Sequence, residues 1–110
     1  MIAAAGGERV LVVDDEKDIV ALVAYHLAKG GYRVSTASTG PEALQAAREE
    51  RPALIVLDLM LPGMSGFEVL EQLRAAESTR DVAVLMLTDY LTVITGVLQA
   101  WTPAALKTRL

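Results

Sequence analysis

Three apolar runs in this sequence each stop at a side chain that carries oxygen. Val10-Leu11-Val12-Val13 stops at Asp14-Asp15, Leu54-Ile55-Val56-Leu57 stops at Asp58, and residues 82–87 stop at Thr88. Uninterrupted runs of aliphatic and β-branched residues read as strands buried on both faces, the habit of a parallel sheet. Strands with one wet face would alternate polar and apolar residues instead. Parallel strands need a crossover between them, and here the intervening segments are long enough to provide one.

Those segments carry helical patterns. After Glu16, the apolar residues Ile19, Val20, Leu22, Val23 and Leu27 recur at helical spacing, and Lys29-Gly30-Gly31 gives a basic last turn and a glycine stop. Residues 32–37 alternate as a half-buried second strand. Ser38-Thr39-Gly40-Pro41 opens a second helix, packed through Ala43, Leu44, Ala46 and Ala47 and ended by residues 49–52. Residues 53–57 and 81–87 are the third and fourth strands. Between them, Ser65 or Gly66 caps a third helix with Phe67, Val69, Leu70 and Leu73 apolar. The order β-α-β-α-β-α-β predicts an α/β fold: a doubly wound parallel sheet, right-handed crossovers and helices on both faces.

Composition narrows the function. The 110 residues make one domain, 1–110, and a 53% hydrophobic content is enough for a core. The net charge of −4 argues against direct nucleic-acid binding by this chain, which needs a basic face. No cysteine is present, so there is neither a disulfide framework nor a thiolate zinc site, and a reducing cytoplasm is the expected location. No apolar run reaches the roughly 20 residues of a membrane helix. The start, MIAAAGGER, lacks the basic and apolar regions of a signal peptide. Its glycines precede the first strand, whereas a dinucleotide fingerprint follows one. His26 falls mid-helix, away from the strand ends, as a surface residue.

In an open parallel sheet, ligands gather outside the carboxyl ends of the strands, where Asp14, Asp15, Asp58 and Thr88 all fall. Each acid taken alone reads as readily as a helix cap or turn residue. Together they form a cluster of like charges, and two such charges 4 Å apart repel by roughly 4 kcal/mol at an effective dielectric near 20. A divalent cation relieves that repulsion, and few oxygen ligands completed by water suit magnesium. Cation, carboxylates and a neighbouring hydroxyl together suggest phosphoryl transfer onto an aspartate.

The chain resembles the receiver domain of bacterial two-component response regulators. The resemblance lies in "VLVVDDEKDI" (10–19), "LIVLDLMLPGMSGFEVL" (54–70) and "VAVLMLT" (82–88), and it covers residues 9–88. It implies a flavodoxin-like sheet and a regulatory domain rather than an enzyme. Asp58 matches the phosphoacceptor, Asp15 the main acidic Mg2+ ligand and Asp14 its partner acting largely through water. Met60 matches the residue whose backbone carbonyl completes the metal shell, and Thr88 the switch hydroxyl. Pro62 and Gly63 shape the loop beside the acceptor. The implied phosphodonor is a sensor histidine kinase.

Residues 89–110 depart from that pattern. The family carries a lysine, usually followed by proline, at the end of a fifth strand, and no Lys-Pro occurs here. All 14 acids lie at or before Asp89, so residues 91–110 hold only Lys107 and Arg109. The tail reads as a helix through Tyr90, Ile94, Val97, Leu98 and Trp101, or as a replacement strand over residues 91–95. Four βα units are therefore expected, with a degenerate or missing fifth strand. An uncovered fourth strand would invite pairing, so a homodimer or an exchange of tails is a further expectation. The competing reading is a degenerate receiver that binds or dimerises without phosphorylation. A magnesium-dependent phosphatase with an aspartyl intermediate fits less well, because Met60 stands where such enzymes commonly place a second acid.

Overall fold

The structure, a computed structural model, describes residues 7–87. Four strands alternate with three helices: β1 (Arg9–Val13), α1 (Lys17–Lys29), β2 (Arg33–Ala37), α2 (Gly40–Glu50), β3 (Leu54–Asp58), α3 (Gly66–Ala75) and β4 (Ala83–Leu87). The strands form one parallel sheet in the order β2-β1-β3-β4. This is the doubly wound parallel sheet expected from the alternation of strands and helices, in the flavodoxin-like form that the resemblance implies. The fifth strand, the Lys-Pro question, the tail stripe and any tail exchange concern residues outside the described ones, as does Thr88.

Strand alternation sorts the core into two layers. Side chains of successive strand residues point to opposite faces. Leu11, Val13, Ile55 and Leu57 therefore pack with Ala43, Leu44 and Ala47 of α2 and Val69 and Leu73 of α3. Val10, Val12, Leu54 and Val56 pack on the other face with Val23 and Leu27 of α1. The central strands β1 and β3 are buried from Val10 to Val13 and throughout Leu54–Asp58, which is why their sequences carry no polar interruption. β2, at one edge, carries the mixed pattern of a half-wet strand, with Ser35 donating to Glu50 of α2.

The helix ends follow the sequence signals with two differences. Thr39 caps α2 by accepting from the Glu42 N–H at 3.2 Å, and Glu42 accepts in return from the Ser38 N–H at 2.9 Å, a reciprocal capping box. Of the two candidates for α3, Ser65 is the cap, accepting from the Glu68 N–H at 3.2 Å. The first difference is at α1, whose N-cap position is Glu16, with no side-chain cap hydrogen bond. The second is that Leu22 and Phe67 face outward, at 37% and 63% exposure. Both are apolar, but each lies off the stripe that its helix turns to the sheet: Val23–Leu27 in α1 and Val69–Leu73 in α3.

β1 begins one residue earlier than expected, at Arg9, and the other three strands begin one or two residues later. Tyr32 lies past α1 but is tied back to its last turn, because its N–H donates to the Leu27 carbonyl at 3.1 Å. Val82 closes a turn on the Thr79 carbonyl at 3.2 Å before β4 begins.

Candidate functional site

The strand order places a crevice between β1 and β3. From β1 the chain crosses to β2 on one side, then returns past β1 to β3 on the other, so the connections diverge at the carboxyl ends of these two strands. Ligands of doubly wound sheets bind at such a divergence. The parallel register pairs Val13 with Leu57, so the next residues along, Asp14 and Asp58, emerge beside one another at that crevice.

Asp14, Asp15 and Asp58 come together there. One carboxylate oxygen from each lies within 4.8 Å of the others. Asp14 and Asp58 are buried, at 1% and 5% exposure, while Asp15 reaches solvent. Local hydrogen bonds aim the two buried carboxylates. Asp14 Oδ1 accepts from the Glu16 N–H at 2.8 Å, and the Asp14 N–H donates to the Ala37 carbonyl at 3.1 Å. Asp58 Oδ1 accepts from the Met60 N–H at 3.1 Å, the side-chain turn that aspartate forms two residues back from a backbone donor. The acids thus do not cap α1 through their side chains; Asp14 orders the turn leading into it.

The loop between β3 and α3 is pinned at several points. Leu61 is buried in the α2–α3 core layer. The Leu59 N–H donates to the Leu87 carbonyl at 3.3 Å, joining this loop to the end of β4. The Gly66 N–H donates to the Leu59 carbonyl at 2.9 Å. Gly63 adopts φ +76°, a left-handed conformation that glycine takes without steric cost and that follows naturally from Pro62-Gly63. Met60 sits on this loop with its side chain 79% exposed.

The donor set is made of oxygen alone, carries up to three negative charges and is half open to water. That chemistry fits a hard divalent cation that keeps part of its water shell, as magnesium does, and the residues that would hold it are Asp14, Asp15 and Asp58. Sequence reasoning found these acids because each ends an apolar run. It named Gly66 only as an alternative cap for α3 and gave no link between that glycine and the acids.

Comparison with known proteins agrees with this geometry. The family model described as the response regulator receiver domain matches residues 10–101. The chain belongs to the response regulator receiver domain family, whose members are regulatory modules. It is 52% identical over 82 residues to the alkaline phosphatase synthesis transcriptional regulatory protein PhoP of Bacillus subtilis, covering 74% of this chain and 34% of that protein. Among solved structures it is similar to the N-terminal domain of a response regulator receiver protein from Methanoculleus marisnigri (38% identity, TM-score 0.70, covering 83% of this chain and 78% of that one). It also shares the fold of the receiver domain of the sensor histidine kinase PA1611 from Pseudomonas aeruginosa, solved with magnesium in its active site cleft (24% identity, TM-score 0.72, covering 94% of this chain and 93% of that one). The chain spans about a third of the length of the curated relatives it matches. The name "transcriptional regulator" therefore describes proteins with much more chain than the matched segment. Among the described residues no helix is long and apolar enough to cross a membrane.

Proposed function

We propose that this receiver accepts a phosphoryl group on Asp58 from a sensor histidine kinase, with Mg2+ held by Asp14, Asp15, Asp58 and the backbone carbonyl of Met60, in the cytoplasm. The observation that carries the reading is the convergence of three carboxylates within 4.8 Å at the crevice between β1 and β3. A purely structural role for these acids would not require them to share a site against mutual repulsion.

In this mechanism an Asp58 carboxylate oxygen forms a bond to phosphorus as the bond from phosphorus to the donor's imidazole nitrogen breaks. The imidazole leaves with that electron pair, and an acyl phosphate remains on Asp58. The Met60 N–H fixes one Asp58 oxygen at 3.1 Å, leaving the other to attack. Asp14 and Asp15 hold the negative pole of the site. A bound cation supplies charge neutralisation for the incoming phosphoryl oxygens. Thr88, two residues beyond Met86 and directly after β4, is proposed as the hydroxyl that meets the phosphoryl group. The hydrogen bond from Leu59 to Leu87 links the acceptor loop to the backbone just before Thr88, which gives a route from the site to β4.

The proposed role is an input module, with phosphoryl transfer and loss being reactions of the domain itself. Its acid-rich face is unsuited to nucleic-acid contact. The test is intact mass after incubation with magnesium and acetyl phosphate. A gain of about 80 Da in the wild type that is absent from Asp58→Asn supports the reading. A gain that persists in Asp58→Asn contradicts it.

A further inference from the structure

Gly66 starts α3, yet neither ordinary reason for a glycine at a helix start applies. Ser65 already provides the cap, and among the described residues the glycines with positive φ are Gly31 and Gly63. What Gly66 does instead is make a close approach. A Cβ at Gly66 would lie 2.5 Å from the carbonyl oxygen of Asp58, 2.9 Å from Cα of Leu59 and 3.1 Å from Cε of Met86. The first two are backbone atoms of the acceptor and its neighbour, and packed backbone cannot swing aside as the end of a methionine can. The Gly66 N–H also donates to the Leu59 carbonyl at 2.9 Å. Gly66 therefore grips the segment across which Met60 hydrogen-bonds the Asp58 carboxylate.

We propose that Gly66 is a positioning residue for Asp58. Its missing side chain lets α3 seat against the acceptor's own backbone, and that seating sets the Asp58 carboxylate at its spacing from Asp14 and Asp15. The consequence for phosphoryl transfer rests on the phosphoacceptor reading above; the geometric consequence does not.

The test compares Gly66→Ala with Val69→Ala. Val69 is fully buried on the same helix but is not among the atoms closest to Gly66 around Asp58, so its truncation loosens α3 without the collision. Three readouts are taken: Mg2+ affinity by calorimetry, the Asp58 and Met60 amide resonances of the metal-free protein, and the rate of phosphorylation by acetyl phosphate. Gly66→Ala should shift both resonances, weaken Mg2+ binding tenfold or more and slow phosphorylation. Val69→Ala should lower Tm while keeping Mg2+ affinity within twofold of wild type. Unshifted resonances and unchanged affinity in Gly66→Ala, or an equal loss in Val69→Ala, overturn the proposal. If Gly66→Ala does not fold at 25 °C, its resonances and Mg2+ affinity are read at low temperature in a stabilising osmolyte, beside Val69→Ala and wild type under the same conditions. A wild type that takes up no phosphoryl group sinks the phosphoacceptor reading, while the resonances and the affinity still decide the role of Gly66.

Discussion

Asp14 and Asp58 stand side by side, one register step beyond the Val13–Leu57 pair, each buried and each with its carboxylate held by a backbone N–H two residues on. Two buried acids in adjacent strands, with Asp15 close by, oppose the folded state unless a cation joins them. Charge clustering and stability are therefore in tension at this site.

That tension can be measured. Asp58→Asn keeps an oxygen that can accept from the Met60 N–H but removes one of the clustered charges. In the presence of a chelator it should be more stable than wild type by on the order of 1–3 kcal/mol. Urea unfolding of both proteins checks this, and equal midpoints would show that the repulsion is already relieved in the metal-free protein.

Magnesium should offset the wild type's deficit. At a hundred times its Kd, a cation that binds only the folded chain stabilises it by about 2.7 kcal/mol. Wild type should gain a corresponding rise in Tm, whereas Asp15→Asn should gain little, with an affinity at least tenfold weaker. Thermal melts across a magnesium titration provide the comparison.

The capping box on α2 makes a pH prediction. Hydrogen bonds from the Ser38 N–H and hydroxyl hold the Glu42 carboxyl below its ordinary pKa. A carboxyl lowered in the folded state adds stability above its unfolded pKa and loses it as pH falls through the folded value. Wild type should therefore exceed Glu42→Gln in stability at neutral pH, and the gap should close in acid below the ordinary carboxylate range. Separately, Thr39→Ala removes the cap and should cost about 1 kcal/mol at neutral pH.

Core and site should be separable. Leu73 is buried in the α2–α3 layer, and Leu73→Ala should cost about 2–5 kcal/mol. Because it leaves all three carboxylates in place, Mg2+ affinity below the unfolding transition should stay within twofold of wild type. Calorimetry at low temperature tests this.

Much of this was legible in the sequence for a physical reason. A strand buried on both faces has no room for polar residues, so Asp14 and Asp58 mark where β1 and β3 stop. Parallel alternation then fixes which strand ends share an edge. Burial of helix residues was less legible. Leu22 and Phe67 are apolar but face outward, because hydropathy alone does not say which apolar positions of a helix meet the sheet. Tertiary distances were least legible: nothing local tells that Gly66 lies against the Asp58 carbonyl rather than serving as a cap.

Asp58, the proposed phosphoacceptor, can be located chemically. After phosphorylation by acetyl phosphate with magnesium, borohydride reduces an aspartyl phosphate to homoserine, and peptide mass spectrometry locates it. The expected result is homoserine at position 58, lost when Asp15→Asn removes an acid of the metal site. Homoserine at Asp14 or Asp15, or no conversion at Asp58 in a protein that has gained the phosphoryl mass, would contradict the assignment.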